Sequence, residues 1–145
     1  MTTKGWLLDT NVVAALINPN GAPSVKNWVS QVDEDRLFLS VLTLGEYEKG
    51  IYNLPEDDPR RSRIGTIRDG LTARFEGRTL PVTEGVVRRW GKAAGTVKRL
   101  TGHPPPVIDT LLAATALEYG LTLVTRNVQD VRHSGAVVFN PWETP

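Results

Sequence analysis

The chain has 145 residues, 40% of them hydrophobic and 23% charged, with a formal net charge of +1. That suffices for one ordinary globular domain burying roughly two thirds of its unfolded surface, and the near-neutral balance excludes a global field drawing the protein to nucleic acid or membrane. The absence of cysteine excludes disulfides, thiol nucleophiles and thiolate zinc sites. No apolar run reaches the roughly 18 residues of a membrane helix. Met1 to Lys4 is too short for a signal peptide, so the expected compartment is the cytoplasm, with no membrane partner.

Gly5-Trp6-Leu7-Leu8 is a short apolar run without alternation, as in a strand buried on both faces, and it runs directly into Asp9-Thr10-Asn11. Any of those three can cap a helix to about Ile17, which the turn residues Asn18-Pro19-Asn20-Gly21 end. Ser24 is the expected cap of a second helix with Val25, Trp28, Val29 and Val32 on its apolar face. Leu37-Phe38-Leu39 is the next strand. Thr43 then caps a helix, with Glu46 in capping-box register. Arg60 to Phe75 reads as a helix weakened by Gly65 and Gly70. Thr79 to Val82 is a short strand whose Pro81 suits a sheet edge or strand end. Thr83-Glu84 opens a long helix with Val86, Trp90, Ala93, Ala94 and Val97 inward, stopped by His103-Pro104-Pro105-Pro106. Val107 to Tyr119 is apolar nearly all round, as a helix buried on most sides should be, with Gly120 as its C-cap. Leu121 to Thr125 is a strand, Arg126 to Gly135 a loop, and Val137 to Phe139 a last strand. Strands separated by helices imply an α/β class, with a mostly parallel sheet between two helical layers across residues 1–145.

Four acids fall at element ends: Asp9 after the first strand, Glu46 early in the helix after the second, Asp109 at the start of the alanine-rich helix, and Asp130 after the fourth strand. Asn127 lies three residues before Asp130. Parallel topology gathers strand C-termini at one edge, where ligands of open α/β sheets bind. Asp9, Glu46 and Asn127 or Asp130 can meet there, and Asp109 joins them if its helix starts at that edge. Taken singly, each acid has an ordinary role at a helix N-terminus. Taken together, clustered carboxylates repel unless a cation neutralises them. Mg²⁺ or Mn²⁺, with oxygen ligands, is the natural counter-charge, and such sites act on phosphates.

Leu7-Leu8-Asp9-Thr10-Asn11, Leu39 to Glu46, Val107 to Ala116, Leu123 to Val128 and Phe139-Asn140-Pro141-Trp142 together resemble the PIN-domain ribonucleases, and within them the VapC-type toxins of bacterial toxin–antitoxin pairs. The resemblance implies a three-layer α/β/α fold and an Mg²⁺-dependent endoribonuclease whose core acids are Asp9, Glu46 and Asp109. Asp9 and Asp109 would ligate the metal directly, and Glu46 through water or by orienting the attacking water. The family's fourth acid falls at or near Asn127; this chain has an amide there and an acid at Asp130, so both are candidates, Asn127 being nearer the strand end. The resemblance further implies RNA as substrate, a homodimer, and a small antitoxin whose tail occupies the acidic cleft. An Mg²⁺-dependent small-molecule phosphatase and a PIN-like binding module without turnover are the alternatives.

Other features carry less. Gly45 to Gly50 has the glycine spacing of a P-loop but Ile51 where lysine is required. Asp9-Thr10-Asn11 lacks the second aspartate of aspartyl-phosphate phosphatases. His103 and His133 read as solvated loop residues rather than a catalytic pair. Arg88, Lys92 and Arg99 share one helix face, and Arg60, Arg61 and Arg63 cluster; a solvated surface is the first reading and a phosphate-contacting rim the second. Trp6, Trp28 and Trp90 are expected in the core, with Trp142 pinning the C-terminus.

Overall fold

The structure is a computed structural model describing residues 3–143, so the outermost two positions at each end of the expected 1–145 domain lie outside the described residues. Five parallel strands form one sheet: β1 (Trp6–Leu8), β2 (Leu37–Ser40), β3 (Thr79–Leu80), β4 (Thr122–Val124) and β5 (Val138–Phe139), in the spatial order β3-β2-β1-β4-β5. β1 is central. Trp6 lies level with Leu37 on one side and Thr122 on the other, and Leu8 with Val124. The crossovers are helical: α1 (Thr10–Ile17) and α2 (Pro23–Gln31), then α3 (Val41–Tyr52) and α4 (Arg60–Arg74), then α5 (Glu84–Thr101) and α6 (Val107–Tyr119), with a short α7 (Val128–Val131) before β5.

The two-residue period of a strand explains the layers. Leu8 points into one core with Val12, Val13, Val25, Leu37, Leu39, Leu71 and Phe75, while Leu7 points into the other with Leu112, Ala113, Ala116 and Leu123. Both leucines are fully buried, as the unalternating run requires. Helices therefore cover both faces, giving the expected α/β/α arrangement. Trp6, Trp28 and Phe139 pack edge-to-face or tilted, with ring centroids 5.1–5.7 Å apart, and Trp142 packs against the same core. β3 is an edge strand and Pro81 follows it at once, where a missing N–H leaves no ladder bond unmade. Gly120 closes α6 in the left-handed conformation, φ 68°, as the C-cap position favours.

Three local expectations are corrected. Ser40, not Thr43, caps α3: its extended backbone lets Oγ accept the Leu42 N–H at 3.0 Å, and the helix starts two residues before Thr43. Thr43 is buried instead, its hydroxyl 3.1 Å from that of Thr10 on α1. Ser24 does not cap α2, because Pro23 already occupies the first turn, where its fixed φ suits the helix and no N–H is needed. The loop expected over 126–135 contains α7, which forms because Val131 finds buried space against the α6 core.

Candidate active site

Asp9 follows β1 directly and is the N-cap of α1, at 6% exposure. One carboxylate oxygen, Oδ1, accepts the Thr10 N–H at 2.6 Å; Oδ2 accepts the Thr125 hydroxyl at 2.7 Å and the Asn11 amide at 3.4 Å. Thr125 is there by register. Leu8 lies level with Val124, so the next residue of each strand meets across the sheet. The Thr125 hydroxyl oxygen also accepts the Asn127 N–H at 2.9 Å, and Asn11 Oδ1 accepts the Arg126 N–H at 3.4 Å, which ties the segment after β4 to the end of β1.

α6 leads into a parallel strand, so it must run back across the sheet and begin at the carboxyl edge. This puts Asp109, in its first turn, beside the end of β1. Its surroundings record the convergence: the carboxyl is pushed up to about 6, first by burial and then by the charges of Asp9, Asp130 and Glu46. Burial also raises Asp9, partly offset by its bonds from Thr125 and Thr10, with Glu46 adding a smaller push upward. Glu46 and Asp109 are half-buried, whereas Asn127 and Asp130 are exposed. Asn127 binds through its backbone to Thr125, and Asp130 is in the first turn of α7.

Among the described residues, none of these four acids has a Lys or Arg partner. Arg126, directly after Thr125, lies over the Trp142 ring at 5.3 Å. The donors are all oxygen and their charge is unmatched, which fits a hard divalent cation. Among the described residues, no three His, Asp or Glu side chains are close enough to cage an ion as they stand.

The PIN domain family model matches residues 6–132. The chain belongs to that family. Among its relatives, the toxin FitB of Neisseria gonorrhoeae is 28% identical over 136 residues, 94% of this chain and 97% of that protein. The VapC ribonuclease Y4jK of Sinorhizobium fredii is 26% identical over 94% of this chain and 97% of its own length. The crystal structure of FitAcB from Neisseria gonorrhoeae superposes with a TM-score of 0.82 at 27% identity, covering 96% of this chain and 99% of that one.

In this PIN domain, sequence reasoning missed Thr125 as the main side-chain partner of Asp9, and took Asn11 only as a possible cap. The signal for Thr125 was its place one residue beyond a buried strand, as Asp9 is beyond β1. It also took the histidines as separate loop residues. Both are exposed, but they line one cavity of about 190 Å³ with Asp130 and Arg132.

Proposed function

We propose that this PIN domain is a divalent-metal-dependent endoribonuclease toxin, using Mg²⁺ or Mn²⁺ and neutralised by a small antitoxin protein, and that it works as a homodimer. The observation that carries the chemistry is the unpaired acid cluster around Asp109, whose proton affinity is raised by burial and by three neighbouring carboxylates. Such a cluster gains stability from a cation and serves phosphodiester hydrolysis when one is bound. The relatives named as a toxin and a ribonuclease support the biological reading. Asp9 and Asp109 would hold the ion directly, with Glu46 as outer ligand or water-orienting base. Bound there, a divalent ion supplies an activated water and a counter-charge for phosphoryl oxygens.

The residues themselves do the positioning. Thr125 and the Thr10 N–H fix the Asp9 carboxylate so that it need not reorganise during the reaction. Asn11 joins Asp9 to the backbone after β4. Asp130 supplies the fourth negative charge, and Asn127 offers an amide nearer the strand end. Position 11, an amide donating to Asp9, cannot act as the second acid of a phosphatase.

Labelled RNA and a generic phosphate ester, each with excess Mg²⁺ and with EDTA, test this reading. RNA should be cut only with metal, leaving 5′-phosphate ends, while the ester survives. Cyclic 2′,3′-phosphate products or full activity in EDTA would sink the mechanism. Ester hydrolysis without RNA cleavage would favour the phosphatase.

A further inference from the structure

An acid cluster repels the polyanion it cuts, and a net charge of +1 gives no long-range attraction, so the RNA strand needs local cations beside the site. Two cavities lie next to one another on the α5 side. One, of about 330 Å³, is lined by Arg89, Lys92 and Thr96 of α5 and by His133 and Ser134. The other, of about 190 Å³, is lined by His103, Pro106, Gln129, Asp130, Arg132 and again His133. His133 joins them, and Pro106, the N-cap of the helix that carries Asp109 in its first turn, brings the second up to the acid cluster.

Charge distinguishes this path. Arg89 is paired with Glu118 at 2.9 Å, but among the described residues Lys92 and Arg132 have no acidic partner. Arg132 donates to Gln129 Oε1 at 3.0 Å and to His133 Nε2 at 3.1 Å, neither of them a carboxylate. By contrast, the cavity beside Glu46, lined by Thr10, Ala14, Tyr47, Gly50 and Ile64, has no cation.

We propose that the groove from Lys92 past His133 and Arg132 to Asp130 carries the phosphate backbone of the single-stranded RNA into the acid cluster. Lys92 and Arg132 neutralise phosphates, and His133 and His103 add ring N–H donors. These contacts position the strand without reading its sequence. The proposal rests on RNA being the substrate.

Binding without cleavage is the test: anisotropy of a labelled single-stranded RNA oligomer in EDTA, on an Asp109→Asn background, over a series of KCl concentrations. Each phosphate contact contributes about 0.7 to the slope of log K against log salt for single strands. Lys92→Ala and Arg132→Ala should each lower the slope by about 0.7, and the double variant by about 1.4. Lys92→Arg should retain it. Lys4→Ala, which removes the same charge ahead of β1 at the amino edge of the sheet, should leave it unchanged. Binding with unaltered slopes overturns the groove alone, including the case in which the variants lose antitoxin binding instead. Equal loss in Lys4→Ala also overturns it. No RNA binding at any salt concentration overturns the substrate reading as well.

Discussion

Asp109 concentrates the conflict at residue scale. Its folded carboxyl titrates at about 6 against an ordinary 3.8, so between those values the folded chain binds the extra proton. Stability of the metal-free protein should therefore fall as pH rises through that window and level off above it. Asp109→Asn keeps the shape and removes the charge, and should flatten that part of the profile. In EDTA at pH 7 the variant should melt at or above the wild-type temperature, against the usual trend for substitutions in buried surroundings. Metal should reverse the order. A ligand at tenfold its dissociation constant stabilises by about 1.4 kcal/mol, or roughly 3–5 °C for a domain of this size, and the variant should gain much less. Parallel shifts in the two proteins would return Asp109 to an ordinary helix-end role. Thr125 makes a second, separable prediction. Thr125→Val removes the 2.7 Å bond to a buried carboxylate and should cost about 1.5–3 kcal/mol in urea unfolding at pH 7, less in acid where Asp9 is protonated, while Thr125→Ser retains it.

At the scale of elements, α3 and α7 shape the site. Because Ser40 caps α3, Glu46 is one and a half turns into the helix and released from any capping-box bond to Thr43. Ser40→Ala should lower stability by about 1 kcal/mol, measured by urea titration. A loss as large in Thr43→Ala, with none in Ser40→Ala, would restore the cap to Thr43. On α7, Asp130 acts by charge on Asp109, which Asn127 as an amide cannot do. Asp130→Ala should lower the Asp109 pKa, observable by NMR titration of its carboxyl carbon, and weaken Mg²⁺ binding by roughly 10- to 100-fold, as loss of an outer-shell partner does. Asn127→Ala should leave that pKa in place. The opposite pattern would move the fourth role to Asn127.

For the whole molecule, the sheet order decides what can act together. β1 lies between β2 and β4, so residues at the carboxyl ends of the three strands or just beyond them lie along one edge of the sheet. Among the described residues no helix is long and apolar enough to cross a membrane. Under the proposed function, expression of this protein alone should arrest bacterial growth, and Asp9→Asn or Asp109→Asn should relieve the arrest with circular dichroism unchanged. Equal arrest by all three proteins would place the harm outside catalysis.

The local code of this chain was enough to establish the five strands, the six longer helices and their order. Leu7 and Leu8 had to be buried on both faces, the Val107–Tyr119 pattern had to be a buried helix, and Gly120 had to end it, because periodicity and left-handed backbone preference are properties of adjacent residues. The acids Asp9, Glu46 and Asp109 were also visible, as charges at the ends of apolar elements. What the sequence left open depended on distant partners. Ser40 and Thr43 are both good caps; the choice depended on where β2 ends and on the Thr10 hydroxyl that meets Thr43. The Val128–Val131 turn is helical only because α6 offers Val131 a place to bury. Asp109 reaches the site because a parallel crossover forces α6 to start at the carboxyl edge. Thr125 reaches Asp9, 116 residues away, only through the register of β1 with β4. Register and crossover direction are settled by packing the whole sheet, so tertiary structure alone could bring these side chains together.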